Sequence, residues 1–301
     1  MAADPPTTDA SILETVPAES TYREVDGVEL HVVAAGDPAD PLVVLLHGFP
    51  DFWYGWRHQI PALVEAGYRV LVPDQRGYNL SDKPEGLDSY RMGRLSADIA
   101  DLIASTGRES AHVVGHDFGG FVAWNVALRN PSLVDRLGIL NVPHPTVYRS
   151  TVRSSLEQIF RSWYVWFYQV PKIPEWLLER NDMANMVASL EVTSNAETFD
   201  EETIARYREA WAHTGITPRV NWYRGFWRSD GPDTETVGQP TLICWGEDDI
   251  ALVPTMAERS LNYCERGRLQ MFPESSHWVQ HDEREAVTEA LIDHLSTDDR
   301  V

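Results

Sequence analysis

At 301 residues the chain is long enough for one large α/β domain, or for such a domain carrying an insertion, with a substantial buried core. A hydrophobic content of 43% with 10% aromatic residues excludes a disordered chain, and the absence of a long apolar run excludes a membrane-spanning helix. The net charge of −21 is spread along the whole length, which excludes the basic footprint that nucleic-acid binding requires.

Residues 1–19, rich in Pro, Thr, Ala and Asp, read as a flexible tail. They lack the positive start and apolar core of a signal peptide, so a cytoplasmic location is expected. Two short strands follow, at residues 21–25 and 28–34, joined by the hairpin signal Asp26-Gly27. The continuous apolar run 42–46 fits a strand buried on both faces of a sheet, and it ends in His47-Gly48-Phe49-Pro50. An aromatic-rich helix is expected at 52–66, then a strand at 69–72 closed by Asp74-Gln75-Arg76-Gly77-Tyr78. Leu95, Ile99, Leu102 and Ile103 share one helical face. Residues 111–114 then lead as a strand into Gly115-His116-Asp117-Phe118-Gly119-Gly120, a helical pattern at 118–129 leads out, and a strand follows at 137–140.

Here the strand–helix alternation breaks. Residues 143–237 carry helical patterns thick with Trp and Tyr. Alternation resumes with a strand at 241–245, a helix from about Pro254, a strand at 269–272 and a last helix at 282–295. The expected α/β architecture is a mostly parallel central sheet with helices on both faces, formed by residues 20–142 and 238–301 and interrupted by a helical cap at 143–237. No internal repeat is evident.

A strand, a tight turn and a helix, with glycines around a central residue, form the context of a nucleophile elbow. The glycines stand where side chains would clash, and the central residue is pushed up at the carboxyl end of the sheet. That residue is Asp117; taken alone, the same pattern would also serve as a strand-to-helix turn with Asp as N-cap. Two further groups stand at strand ends: Asp249 within Gly246-Glu247-Asp248-Asp249, and His277 within Ser275-Ser276-His277-Trp278. Nucleophile, acid and histidine in that order is the triad order of α/β-hydrolases. In open α/β sheets the site lies beyond the carboxyl ends of the strands, where all three can meet. The other position open to the acid, just after Leu140, holds Asn141, while Glu247 and Asp248 are neighbours that compete with Asp249.

Taken together, His47-Gly48-Phe49-Pro50, Asp74-Gln75-Arg76-Gly77-Tyr78, the Gly-His-Asp-x-Gly-Gly elbow and Ser276-His277-Trp278 resemble the epoxide hydrolases of the α/β-hydrolase superfamily, from about Thr21 to Leu295. The resemblance implies an α/β-hydrolase fold and an enzyme that opens hydrophobic epoxides to vicinal diols. Asp117 would form a covalent alkyl ester, and water activated by His277 with Asp249 would hydrolyse it. Ser162-Trp163-Tyr164-Val165-Trp166-Phe167-Tyr168-Gln169-Val170-Pro171 is similar to the cap segment that supplies one ring-opening tyrosine, here Tyr164. Asn221-Trp222-Tyr223-Arg224 resembles the segment that supplies the second, Tyr223. The implied oxyanion donors are the backbone N–H groups of Phe49 and Phe118.

The elbow and the His-Gly-x-Pro strand end are shared with haloalkane dehalogenases, the alternative on the same fold. That family places a halide-binding Trp after its nucleophile; Phe118 stands there and has no N–H to donate from its ring. A non-catalytic ligand-binding relative would be expected to lack part of the triad. Trp53, Phe118, Phe121, Trp163 and Trp278, with Trp56 and Trp166, are expected to supply an apolar substrate pocket. The expected partners are a small hydrophobic epoxide and water. No cofactor or metal is expected, because no Gly-rich phosphate loop follows a strand. Cys244 and Cys264 do not suggest a disulfide framework. Lysine is confined to Lys83 and Lys172 while arginine is not scarce, which, with the acidic charge, reads as adaptation to a high-salt cytoplasm.

Overall fold

The computed structural model describes Leu13, residues 18–232 and residues 235–296. The expected tail therefore lies outside the described residues except for Leu13, Ala18 and Glu19, the last two of which already belong to a strand. Among the described residues one sheet is built from β1 (Ala18–Val25), β2 (Val28–Ala35), β3 (Leu42–Leu46), β4 (Arg69–Pro73), β5 (Ala111–His116), β6 (Val134–Leu140), β7 (Val237–Gly246) and β8 (Cys264–Phe272). Their spatial order is β1-β2-β4-β3-β5-β6-β7-β8. The two pairings that involve β2 are antiparallel, and every pairing from β4 to β8 is parallel.

The hairpin β1–β2 turns at Asp26 and Gly27, both with positive φ (39° and 74°), as a two-residue turn between right-twisted strands requires. Every residue of β3 is buried, which explains its unbroken Val/Leu composition. At the other edge residues 265–268 of β8 are exposed, so its first half, Cys264-Glu265-Arg266-Gly267-Arg268, carries no apolar pattern and is held by its backbone pairing to β7. That is why the strand begins five residues before the expected 269.

Between β3 and β6 the α-helices are α1 (Gln59–Glu65), α2 (Met92–Ser105) and α3 (Phe118–Arg129). The expected helix 52–66 is split into a 3-10 turn, Trp53–Trp56, and α1. Pro61 has no N–H to give and is tolerated only in a first turn, so the α-helix cannot extend far before it. In α2 the stripe Leu95, Ile99, Leu102 and Ile103 is buried as its spacing predicts. Between β6 and β7 the chain is helical: α4 (Pro145–Ser154), α5 (Leu156–Arg161), α6 (Trp163–Phe167), α7 (Ile173–Thr193, broken at Arg180–Met183 by non-helical backbone), α8 (Glu201–Thr214) and α9 (Thr217–Phe226). After β7 come α10 (Thr255–Leu261), α11 (Val279–Asp282) and α12 (Arg284–Ser296). Both cysteines are free, and burial pushes their thiols up, to about 12 for Cys244 and about 11 for Cys264. Among the described residues no helix is long and apolar enough to cross a membrane.

Candidate active site

Strand β3 has β4 on one side and β5 on the other, so the chain's winding direction reverses at the β3/β5 boundary. Such a switch point opens a crevice at the carboxyl ends of the strands. The loops that leave β3 and β5 meet there. Asp117, between β5 and α3, has φ 51° and ψ −123°, outside the regions an L-residue ordinarily occupies. The turn closes only over glycine: a Cβ on Gly115 would stand 2.3 Å from Gly119 O, and one on Gly119 would stand 2.2 Å from Leu46 O. From the β3 side, the Phe49 N–H donates to Asp117 Oδ1 at 2.8 Å. Phe118 follows as the first residue of α3, its ring in the cavity wall.

The acid loop after β7 brings Asp249 into the same crevice, almost fully buried. Its Oδ1 accepts the Ala251 and Leu252 N–H groups at 2.7 and 3.0 Å. Its Oδ2 accepts His277 Nδ1–H at 2.7 Å and Asn141 Nδ2–H at 2.9 Å. The second imidazole nitrogen, His277 Nε2, lies 3.5 Å from Asp117 Oδ2. Asp117, Asp249 and His277 are therefore brought together as their order along the chain predicts. Asn141 stands where the acid could have been and instead clamps it, taking the Gly246 N–H at 2.9 Å while donating to Asp249. His116 donates Nε2–H to His277 O at 2.8 Å; burial and the neighbouring His277 charge lower its pKa to about 3, so it stays neutral.

Burial alone would lower the pKa of His277, but the Asp249 charge, the hydrogen bond with Asp117 and that with Asp249 together raise it well above the usual range. Asp117 mirrors this. Burial pushes its carboxyl up, and the hydrogen bond and charge of His277 outweigh burial and hold it below the usual range. At rest the two form an imidazolium–carboxylate pair.

Asp117 and His277 open into a cavity of about 420 Å³ counted to its mouth, lined also by Phe118, Phe121, Tyr148, Tyr164, Val165, Tyr223, Phe226, Trp227 and Leu252. Tyr164 on α6 and Tyr223 on α9 meet there, ring centroids 6.0 Å apart and nearly perpendicular. Tyr223 is fixed edge-on against Phe118 (4.7 Å) and Phe49 (5.3 Å). Burial pushes both phenols well above their usual pKa, reinforced by Tyr148 and then the Asp117 charge for Tyr164, and by Tyr164 and then the Asp117 charge for Tyr223. Both are neutral O–H donors at any physiological pH.

The helix that carries Tyr223 and the helix just before Tyr164 are tethered to loops of the site. Trp222 Nε1–H donates to Arg76 O at 2.9 Å, and the adjacent Gln75 N–H donates to His47 Nε2 at 3.0 Å, which joins α9 to the loop after β3. This is the part played by the Asp74–Tyr78 motif, with Arg76 itself locked on Asp98 at 2.5 and 2.8 Å. On the other side, Gln158 of α5 donates to Ala251 O at 2.8 Å and accepts the Val253 N–H at 3.0 Å, which joins the segment before Tyr164 to the acid loop.

Of the expected pocket residues, Phe118 and Phe121 line the cavity, while Trp53, Trp163 and Trp278 do not. Trp53 and Trp56 are core residues under the β3 loop. Trp278 is buried behind His116 and ties α7 to the core through Nε1–H to Thr193 Oγ1 at 2.9 Å. On α6 the inward positions belong to Tyr164 and Val165, so Trp163 (65% exposed) and Trp166 face out. The walls come instead from Tyr148, Phe226, Trp227 and Leu252, which no sequence motif marks. Among the described residues no group of three or more His, Cys, Asp or Glu could hold a metal ion.

Residues 41–284 match the family model described as alpha/beta hydrolase fold. The chain is similar to AB hydrolase superfamily protein YfhM of Bacillus subtilis, 42% identical over 91% of this chain and 96% of that one. It is similar to epoxide hydrolase 1 of Caenorhabditis elegans, 38% identical over 91% of this chain and 69% of that one. The crystal structure of Bacillus megaterium epoxide hydrolase in complex with an inhibitor superposes with a TM-score of 0.85 at 28% identity, covering 92% of this chain and all of the other.

Proposed function

Because the chain belongs to the epoxide hydrolases of the α/β-hydrolase superfamily, we propose that it opens hydrophobic epoxides to vicinal diols through an ester on Asp117. The observation that carries this reading is one narrow cavity shared by a carboxylate–imidazolium pair and two neutral phenols. Residues 143–237, proposed as the cap, supply both phenols, and the residues before and after them supply the triad.

The two oxygens of Asp117 divide the work. Oδ2 attacks an epoxide carbon as the ring C–O bond breaks, and the ring oxygen takes a proton from Tyr164 or Tyr223. His277 restores that proton to the phenolate. Oδ1, held by the Phe49 N–H, becomes the ester carbonyl oxygen. Esterification removes the carboxylate charge that kept His277 protonated, so the imidazole now serves as base, still aligned by Asp249. It takes a proton from water as the hydroxide adds to the ester carbonyl carbon. Charge then gathers on Oδ1, facing the N–H of Phe49 and, in this reading, that of Phe118. Collapse releases the diol, its alkoxide protonated from His277. Phe118 and Phe121 make the surroundings apolar, and neither offers a donor to a departing halide.

Tyr164→Phe combined with Tyr223→Phe is expected to slow single-turnover opening of an aryl epoxide by about 10³-fold, within the range of general-acid effects. Quenched-flow measurement checks it; a double variant within tenfold of the parent would make both tyrosines packing residues. We also propose that the acidic surface suits a high-salt cytoplasm. The melting temperature is then expected to rise by several degrees from dilute buffer to molar KCl, as screening relieves repulsion. Scanning calorimetry checks this, and a flat or falling response would mark an ordinary acidic protein.

A further inference from the structure

A second cavity, of about 1180 Å³ counted to its mouth, lies between the core and the segment that joins α7 to α8. That segment is fixed against the core. Thr198 Oγ1–H donates to Asp282 Oδ1 at 2.6 Å, Asn195 Nδ2–H donates to Glu274 O at 2.7 Å, and the Phe199 ring stands edge-on to Trp278 at 5.1 Å. The core-side wall carries Arg57 and His58, just before α1, with His281 of α11 and Arg284, the first residue of α12. The facing wall carries Glu197, Asp200 and Glu202. Apart from Pro61 and the Tyr54 ring little apolar surface lines it, which sets it apart from the aromatic cavity over Asp117.

The core-side wall presents donors. Arg57 Nη1–H donates to Tyr54 O at 3.3 Å and to His281 Nδ1 at 3.4 Å. A guanidinium only donates, so Nδ1 is the accepting nitrogen and the His281 proton sits on Nε2. That buried N–H has no partner among the described residues. Burial first, and then the Arg57 charge, keep both histidines neutral, His58 at about 4 and His281 well below its usual value. Among the described residues neither Arg57 nor Arg284 forms an ion pair. On the facing wall Glu202 is paired with Arg206 at 2.7 Å, and Asp200 caps α8 by accepting the Thr203 N–H at 2.7 Å. Glu197 forms no ion pair among the described residues. Thr203, and after it the Arg57 and Arg206 charges, hold the Asp200 carboxyl below the usual range, so the two walls act on each other across the cavity. A multiply charged anion would be repelled by three carboxylates and by the net charge of −21, and a simple cation by two guanidinium groups. A ligand with one charge of each sign satisfies both walls.

We propose that this cavity binds a small dipolar molecule of the amino-acid class, its carboxylate turned to Arg57, Arg284 and the His281 Nε2–H and its ammonium turned to Glu197 and Asp200. The guanidinium groups supply the forked donors that a carboxylate takes, and the two exposed carboxylates hold the ammonium at the mouth. The probe is γ-aminobutyrate, whose two charges stand a short chain apart, with butyrate and n-butylammonium as controls that each lack one of them. Isothermal titration of the full chain is expected to give a dissociation constant of about 1 mM or below for γ-aminobutyrate, and values higher by about tenfold or more for either control. Arg57→Gln is expected to weaken γ-aminobutyrate by about tenfold or more. Arg284→Gln and Glu197→Gln alter exposed side chains, and each is expected to weaken it several-fold with an unchanged melting temperature. No saturable binding of γ-aminobutyrate, by calorimetry or by ligand-observed NMR, would overturn the proposal. So would butyrate binding as tightly, which would mark a plain anion site, or binding that all three variants leave unchanged, which would place the probe elsewhere. Each readout is binding, so none of these outcomes bears on the reaction assigned to Asp117.

Discussion

His277→Gln is expected to consume one equivalent of a small aryl epoxide and then stop, with the chain heavier by the mass of the whole epoxide. Glutamine keeps a polar side chain in the buried site but cannot take a proton from water. Ring opening needs only the Asp117 carboxylate and a phenol, whereas ester hydrolysis needs the base and is expected to slow by about 10⁴-fold. The substitution has a second effect on Asp117. Burial pushes its carboxyl up, and the hydrogen bond and charge that oppose burial come first from His277. In the variant that opposition is reduced to the Phe49 N–H and weaker neighbours, so adduct formation is expected to need a higher pH than in the parent. Intact-mass and peptide measurements check both points. A bromoalkane adduct without an epoxide adduct would turn the assignment to dehalogenation, and adducts from neither would leave Asp117 without its role.

Asp117→Ala is expected to lower diol formation by at least about 10⁵-fold, to the rate of the solution reaction. Loss of the nucleophile leaves His277, Asp249 and the two phenols in place, but the bond they serve cannot form. Alanine tolerates the positive φ at this position less well than aspartate, a cost of roughly 1 kcal/mol. The variant also leaves His277 with Asp249 as its one carboxylate neighbour among the triad, so its imidazole pKa falls. Neither effect reaches the helices that hold the tyrosines, and the fold is expected to persist. Chiral chromatography of the diol, with a melting curve on the same sample, checks the result. Activity above about one hundredth of the parent would remove the nucleophile from Asp117.

The parts of the fold that speak plainly in the sequence are those where burial or turn chemistry leaves one choice. Strand β3 has no polar residue because both its faces are covered, and Asp26-Gly27 adopts the turn that its composition demands. Edge strand β8 is silent over its first half because solvent imposes no pattern on it. The triad is legible because strand ends converge whatever lies between them. The pocket walls are not. A tryptophan-rich sequence says that aromatic surface is buried or bound, but not on which side of a five-residue helix it points. The outward Trp163 and the core Trp53 each satisfy that composition without touching the cavity. Asn141 is an intermediate case. Its position at a strand end is visible, but its bond to Asp249 depends on how β6 and the acid loop pack side by side.

The tethers from Trp222 to Arg76 and from Gln158 to the acid loop have a kinetic consequence. A lid that hinged away as a body would pull one phenol from the loop after β3 and the other from the acid, dismantling the site at each turnover. The roof is better described as bolted down. Passage of substrate and diol then falls to local rearrangement of side chains in the cavity wall, among which Trp227 is half-buried. An enzyme built in this way discriminates among molecules by how quickly they slip through a doorway as well as by how well they fit the room behind it.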